Sequence, residues 1–162
     1  MHLVAIVQIL VLLTVANGAP VVMKKIFGSR FADPLDGGLR FVDQRPLFGR
    51  SKTIRGAVAA LLVTTAAAPL VGLAPALGAL VAATAMAGDL LSSFIKRRLG
   101  LPSSSAALGI DQVPECLLPF LACSVSLSLT VLDILVGVAL FFAGELVLSR
   151  LLYRIGLRDE PY

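Results

Sequence analysis

Of 162 residues, 57% are hydrophobic and only 15% charged, and the mean hydropathy is +0.92. A soluble domain needs nearer a quarter charged residues to coat its core, so an ordinary water-soluble globule is excluded. The net charge of +4 matters less than its placement: eight of the 14 Lys and Arg residues lie between Lys24 and Arg55, three form Lys96–Arg98, and the last three are Arg150, Arg154 and Arg158. The long apolar stretches between these clusters contain no basic residue.

The first apolar segment, residues 3–22, is interrupted only by Gln8, Thr14 and Asn17 and is long enough to span about 30 Å of hydrocarbon. Ala16-Asn17-Gly18-Ala19 resembles a signal-peptide cleavage site. The segment is nevertheless read as a retained helix, because its start lacks Lys and Arg and cleavage would export eight cations. Asn17 and Pro20 are expected to close this helix. The loop from Lys24 to Arg55 keeps Phe27, Phe31, Phe41 and Phe48 among its charges, which predicts ordered packing at the membrane surface rather than a loose linker.

The apolar run from Ala57 to Ala87 would measure about 46 Å as one helix, too long for a single perpendicular crossing. Pro69, Gly72 and Pro75 supply a turn in its middle. A hairpin also returns the Arg50–Arg55 and Lys96–Arg98 clusters to one side, as the positive-inside rule requires. Its second arm is predicted to continue to Leu99, stopped by Gly100 and Pro102.

Pro114 and Glu115 suit the start of a fourth helix. A last turn is expected near Asp133, after Ser124, Ser126, Ser128 and Thr130. The segment from Arg150 to Tyr162 is expected to end in water. Cys116 and Cys123 stand two helical turns apart, so they read as buried thiols that do not bridge.

The expected fold class is therefore all-α, a single-domain integral membrane bundle over residues 1–162. Its five or so transmembrane helices lie near 3–22, 55–70, 74–99, 114–131 and 134–153. The N-terminus is expected outside, the C-terminus in the cytoplasm, and every basic cluster on the cytoplasmic face of a multi-pass cell-membrane protein.

The chemistry is expected in the loops on that face. At 100° per residue, Asp89, Ser93 and Lys96 share one helical face, with Ser92 and Arg97 at its margins. A carboxylate, a hydroxyl and an ammonium stacked over two turns suit a divalent ion and a phosphate, although a juxtamembrane end with snorkelling cations has the same composition. Asp111, before Pro114, supplies a second carboxylate or simply caps a helix, and Mg²⁺ typically takes one or two carboxylates with water and phosphate.

In the first loop, Gly49-Arg50-Ser51-Lys52-Thr53 superficially evokes a phosphate-binding P-loop. It lacks the glycine immediately before Lys52 and the surrounding strand–loop–helix unit. Arg40, Arg45, Arg50, Lys52 and Arg55, beside a helix start near Thr53, form a cation density suited to a triphosphate or to anionic headgroups.

These residues fall into a recognisable order. Ala16-Asn17-Gly18-Ala19-Pro20, then Asp36-Gly37-Gly38 with Phe41-Val42-Asp43, then Leu47-Phe48-Gly49 followed by Lys52-Thr53 and Arg55-Gly56, resemble the CDP-archaeol synthase family. So do Gly88-Asp89 with Ser93-Phe94, Lys96-Arg97-Arg98 and Gly100, and the pair Asp111-Gln112. Gly88-Asp89 with Lys96-Arg97, and Lys52-Thr53, are also similar to the larger phosphatidate cytidylyltransferases.

The resemblance implies a nucleotidyltransferase. CTP and a membrane lipid phosphate would give a CDP-lipid and pyrophosphate, with Mg²⁺ as cofactor and no nucleic-acid partner. On that basis Asp89 and Asp111 are the metal candidates, and Asp89, Asp111, Lys52 and Lys96 the catalytic ones. Arg50, Lys52, Thr53, Arg55, Ser93, Lys96 and Arg97 are the nucleotide- and phosphate-binding candidates, with Asn17, Asp36 and Asp43 in polar support. Where the family carries His and Asn in its last helix, this chain has Glu145 and Ser149, which leaves open whether the lipid is an ether-linked isoprenoid or a diacyl phosphate. The alternative from another class is a small membrane transporter or scaffold without enzymatic activity.

Overall fold

A computed structural model describes residues 1–103, 105 and 107–154, without the side chains of 148, 149 and 151–154. Five α-helices account for most of these residues: α1 (Leu3–Phe27), α2 (Ile54–Ala67), α3 (Pro75–Arg98), α4 (Gln112–Cys123) and α5 (Val131–Arg154). A 3₁₀ turn, Ala68–Val71, follows α2. Among the described residues strand pairing is limited to two isolated bridges in the first loop, Pro34 with Thr53 and Arg40 with Pro46. Helices α1 and α3 are long and apolar enough to cross a membrane, as is α2 continued through its 3₁₀ turn.

The helices pack through a stripe of Ile6, Ile9, Leu12 and Leu13 on α1. It meets Val81 and Ala85 of α3, Cys116, Phe120 and Cys123 of α4, and Ile134 and Phe141 of α5. The outward faces of the helices also carry apolar side chains: Val4, Val7, Leu62, Leu70 and Leu135 are exposed. In hydrocarbon, burying apolar area against a neighbouring helix brings no hydrophobic gain, and association rests on close packing of small residues. Ala59, Ala60, Ala82 and Ala85 supply that packing along α2 and α3.

Two polar loops meet at one end of the bundle, where the Arg45 guanidinium of the first donates to the Arg97 and Arg98 carbonyls at the end of α3. At the other end the His2 backbone N–H and ring face the Asp133 carboxylate at 2.8 and 2.9 Å. That carboxylate also accepts from the Thr130 N–H and hydroxyl, capping α5. All described basic clusters lie at the loop end.

Several boundaries differ from the sequence expectation. Helix α1 does not close at Asn17 and Pro20 but carries Pro20 inside it and runs to Phe27, with Lys24 and Lys25 in the last turn at the negative end of its dipole. Gly28, at φ 55°, ends it. Helix α4 starts earlier, at Gln112, and stops at Cys123, well short of 131. Ser124 turns its hydroxyl onto the Leu121 carbonyl and Ser128 adopts a positive φ, so side-chain competition for backbone groups ends the helix there. The expected water-exposed tail falls largely on residues 155–162, and the Ser149 departure on a side chain, that lie outside the described residues.

Candidate active site

The first loop is folded around Asp36. One carboxylate oxygen accepts the Gly38 N–H at 3.0 Å, and the other accepts those of Phe48 and Gly49 at 2.9 and 3.1 Å. Burial pushes this carboxyl up, but the N–H donors outweigh it and hold it below its ordinary value of 3.8. A second knot joins the loop to α3. The Arg98 guanidinium stacks on the Phe41 and Phe94 rings, 4.8 and 4.9 Å from their centroids. It also donates to Asp43 at 2.8 Å and to the Pro46 carbonyl at 2.6 Å. Asp43 therefore supports the loop through Arg98.

These ties set Gly49 against the second loop. Gly49 has φ 96°, and a Cβ there would lie 2.9 Å from the Ser103 Oγ and 3.6 Å from an Arg97 nitrogen. A larger residue would separate the loops at the point where Lys52 leaves the first of them. Lys52 reaches across to α3, its Nζ 2.5 Å from both carboxylate oxygens of Asp89. The next residue, Thr53, caps α2 by accepting the Gly56 N–H at 3.1 Å.

A second ion pair lies beside the first. Lys96 Nζ is 2.6 Å from Asp111 Oδ1 and donates to the Ser105 carbonyl at 2.9 Å. The other Asp111 oxygen accepts the Ala107 N–H at 2.8 Å. Arg97 is buried, donates to the Pro102 carbonyl at 2.8 Å, and interacts electrostatically with Asp111. The first pair is partly open, with side chains 23% and 36% exposed, and the second is more enclosed, at 9% and 21%. The Lys52–Asp89 pair is thus the more accessible to a ligand.

Backbone contact between α3 and α4 brings the two pairs together. A Cβ on Gly88 would lie 2.3 Å from the Pro114 carbonyl oxygen and 2.6 Å from the Glu115 Cα, so only glycine admits this approach. It places Asp89 beside the first turn of α4.

Of the residues singled out from sequence, Lys52, Asp89, Lys96, Arg97 and Asp111 converge, with Ser93 buried on the same stretch of α3 and Asp36 bracing the loop behind them. The others lie apart. Arg55 spends its guanidinium on the carbonyls of Gly28 and Arg30 and sits over the Phe27 ring, anchoring the end of α1. Arg50 is exposed, and Asn17 is half-buried within α1.

Sequence reading missed Glu115 and Glu145. Glu115 is 8% exposed, and its carboxylate interacts electrostatically with those of Asp89, Glu145 and Asp111 and with the Lys52 ammonium. Its signal was available: Asp111 has helical dihedrals, so a carboxylate four residues later falls on the same face. Glu145 is brought in from α5, far away in sequence.

These carboxylates suit a hard divalent cation, which takes oxygen donors and keeps water and substrate phosphate in its shell. Among the described residues no three His, Cys, Asp or Glu side chains converge into a ready-made cage. The donors fit Mg²⁺ bound through one or two carboxylates.

The model of the CarS-like CDP-archaeol synthase family matches residues 71–162. The CDP-archaeol synthase of Pyrobaculum calidifontis is 32% identical over 157 residues, covering 91% of each chain. That of Hyperthermus butylicus is 40% identical over 104 residues, covering 60% of this chain and 59% of the relative. A solved structure described as an intramembrane enzyme for archaeal membrane lipids biosynthesis has a TM-score of 0.70 and 28% sequence identity, covering 86% of this chain and 91% of that one. With one relative matched along nearly its whole length and the family model covering more than half of the chain, this protein belongs to the CDP-archaeol synthase family.

Proposed function

We propose that this membrane protein transfers CMP from CTP to the phosphate of an ether-linked isoprenoid lipid, giving a CDP-lipid and pyrophosphate, at the loop end of its bundle. The observation that carries the reading is the convergence of Lys52–Asp89 and Lys96–Asp111 from separate segments, in a chain of this family.

The lipid phosphate is itself the nucleophile. One of its oxygens bonds to the α-phosphorus of CTP as the bond to the bridging oxygen breaks, and pyrophosphate leaves with that electron pair. The protein therefore needs no Ser, Cys or His nucleophile. It must neutralise charge and hold the reactants in line. Lys52, Lys96 and Arg97 are the cations placed for the phosphates, and Thr53 presents the start of α2 to them. Asp89 and Asp111 would hold Mg²⁺, which when bound supplies neutralisation of the triphosphate. Asp36 and Asp43 keep the loop that carries Lys52 folded, while Arg50, exposed on the same loop, is available to an incoming anion.

The five helices form five crossings in this reading, with the N-terminus outside and the site facing the cytoplasm, where CTP is made available. A single cysteine at Ser29 should then label only from the cytoplasm and one at the exposed Leu70 only from outside, in a background lacking Cys116 and Cys123. Labelling of Ser29 from outside rejects the orientation.

The activity is tested by incubating purified protein with labelled CTP, Mg²⁺ and a panel of ether-linked and diacyl lipid phosphates. Labelled CDP-lipid and pyrophosphate should form in step, fastest with the ether lipid, and stop in excess EDTA. No CDP-lipid from any member of the panel rejects the reading.

A further inference from the structure

A groove of about 530 Å³ opens on the outside of the bundle at its loop end. Ile54, Val58 and Leu62 of α2 line one side of it, a stripe about 12 Å long at 1.5 Å per residue. Met23 and Phe27 of α1 and Phe31 of the first loop also line it. The three α2 side chains are exposed, so on a membrane-crossing helix the groove faces hydrocarbon. Its rim is cationic. Arg55 lines it, and Lys24 and Arg30 are the exposed chain neighbours of Met23 and Phe31. Among the described residues none of these three cations forms an ion pair. Arg55 donates only to the carbonyls of Gly28 and Arg30, which leave its charge unopposed by a carboxylate. Asp33 lines the groove too, but a carboxylate takes no part in holding an anion, and the cations outnumber it. Apolar walls beneath a cationic rim match a hydrocarbon chain that ends in a phosphate.

We propose that this groove between α1 and α2 seats a chain of the lipid-phosphate acceptor, with the phosphate held at the rim formed by Lys24, Arg30 and Arg55. The proposal rests on the reading of the protein as a transferase acting on a lipid phosphate. Such a lipid keeps its chains in the bilayer while its headgroup meets the loops, so its seat must open to hydrocarbon at the loop end. A second groove, lined by Val4, Val7 and Val71, opens at the start of α1, the end away from the loops, and cannot serve. The rim adjoins the segment that carries Lys52. Arg55 follows Lys52 by three residues, so their Cα atoms are at most about 11 Å apart. A chain lying along α2 therefore delivers its headgroup beside the Lys52–Asp89 pair, entering sideways from the membrane while CTP arrives from water.

The test reads binding and turnover separately. The chain has no tryptophan, so Leu62→Trp puts a single fluorophore in the groove and Val4→Trp one in the far groove. Each full-length variant, in nanodiscs of neutral lipid and without CTP, is titrated with an ether-linked isoprenoid lipid phosphate bearing bromine on its chains. Quenching of Leu62→Trp should saturate, and an excess of the unbrominated lipid phosphate should reverse it while the same lipid lacking the phosphate does not. Val4→Trp should be quenched only in proportion to the bromine present. For turnover, Val58→Trp adds bulk at a half-exposed position outside the core. It should raise the KM for the lipid phosphate about tenfold and leave the KM for CTP within about threefold, the mark of lost acceptor binding. Quenching of Leu62→Trp that does not saturate, or that the phosphate-free lipid reverses equally well, would reduce the groove to ordinary bilayer contact and overturn the proposal. An unchanged lipid KM in Val58→Trp, or an equal rise in the KM for CTP, would overturn it as well. Absence of CDP-lipid formation by the wild type refutes instead the transferase reading on which the proposal stands.

Discussion

Gly88→Ala tests whether the close crossing of α3 and α4 builds the site. The new methyl would sit 2.3 Å from the Pro114 carbonyl oxygen and 2.5 and 2.6 Å from two further backbone atoms of α4. None of these is the far end of a flexible side chain, so the helices must part by about 1 Å to reach ordinary contact, and overpacking of this kind costs about 1–3 kcal/mol. Alanine's better helix propensity returns about 1 kcal/mol, leaving a small net destabilisation. The effect on chemistry should be larger. Asp89 lies next to the crossing on α3, while Asp111 and Glu115 lie on the α4 side, and a misplacement of about 1 Å can cost about 10²-fold in rate. We expect Gly88→Ala to melt within several degrees of wild type while CDP-lipid formation, followed with labelled CTP at saturating lipid, falls about 10²-fold. Gly18→Ala is the control: nothing lies within 4 Å of that Cβ, and it should retain activity with equal or better stability. Wild-type turnover of Gly88→Ala would refute the claim that this crossing positions the carboxylates.

Asp89→Asn keeps the shape of the side chain and removes its charge, and should lower turnover about 10²–10³-fold with the fold intact, the usual cost of a well-placed electrostatic group. Asp33→Asn, an acidic change in the first loop away from both ion pairs, should stay within a few-fold of wild type; equal losses in the two would remove the special role of Asp89. Asp36 has its folded pKa lowered by backbone N–H donors. Its stabilisation is complete above the unfolded value of 3.8 and disappears as pH falls through the lower folded one. Limited proteolysis of the first loop should therefore accelerate on acidification below the ordinary carboxylate range, and Asp36→Asn should loosen the loop at neutral pH and remove that acid-dependent change. A loop equally protected in Asp36→Asn at every pH would refute the assignment.

Much of the helical layout was legible because its causes are local. Apolar length, the break at Pro69–Pro75 and the clustering of cations marked the helices and put the basic clusters together at one end. The Gly88–Arg98 face was also readable, since 100° per residue relates its side chains without tertiary information. The ends of α1 and α4 were less legible. Pro20 is tolerated inside α1, and the seryl side chains and positive φ around Ser124–Ser128 stop α4 before its apolar run ends.

The partnerships within the site depended on parts of the chain far apart in sequence. Sequence marked Lys52, Asp89, Lys96 and Asp111 as candidates, but could not show that Lys52 covers Asp89, 37 residues away, or that Lys96 meets Asp111. It placed Arg55 with the phosphate-binding cations, whereas the fold turns that guanidinium to the carbonyls at the end of α1. It left Glu115 as a helix-start residue, although α3 and α4 bury it against the other carboxylates. Residue type and helical period follow from the chain's local order. Which charges share a space of a few ångströms follows from how closely two backbones approach, and here that approach depends on the absent side chain of Gly88.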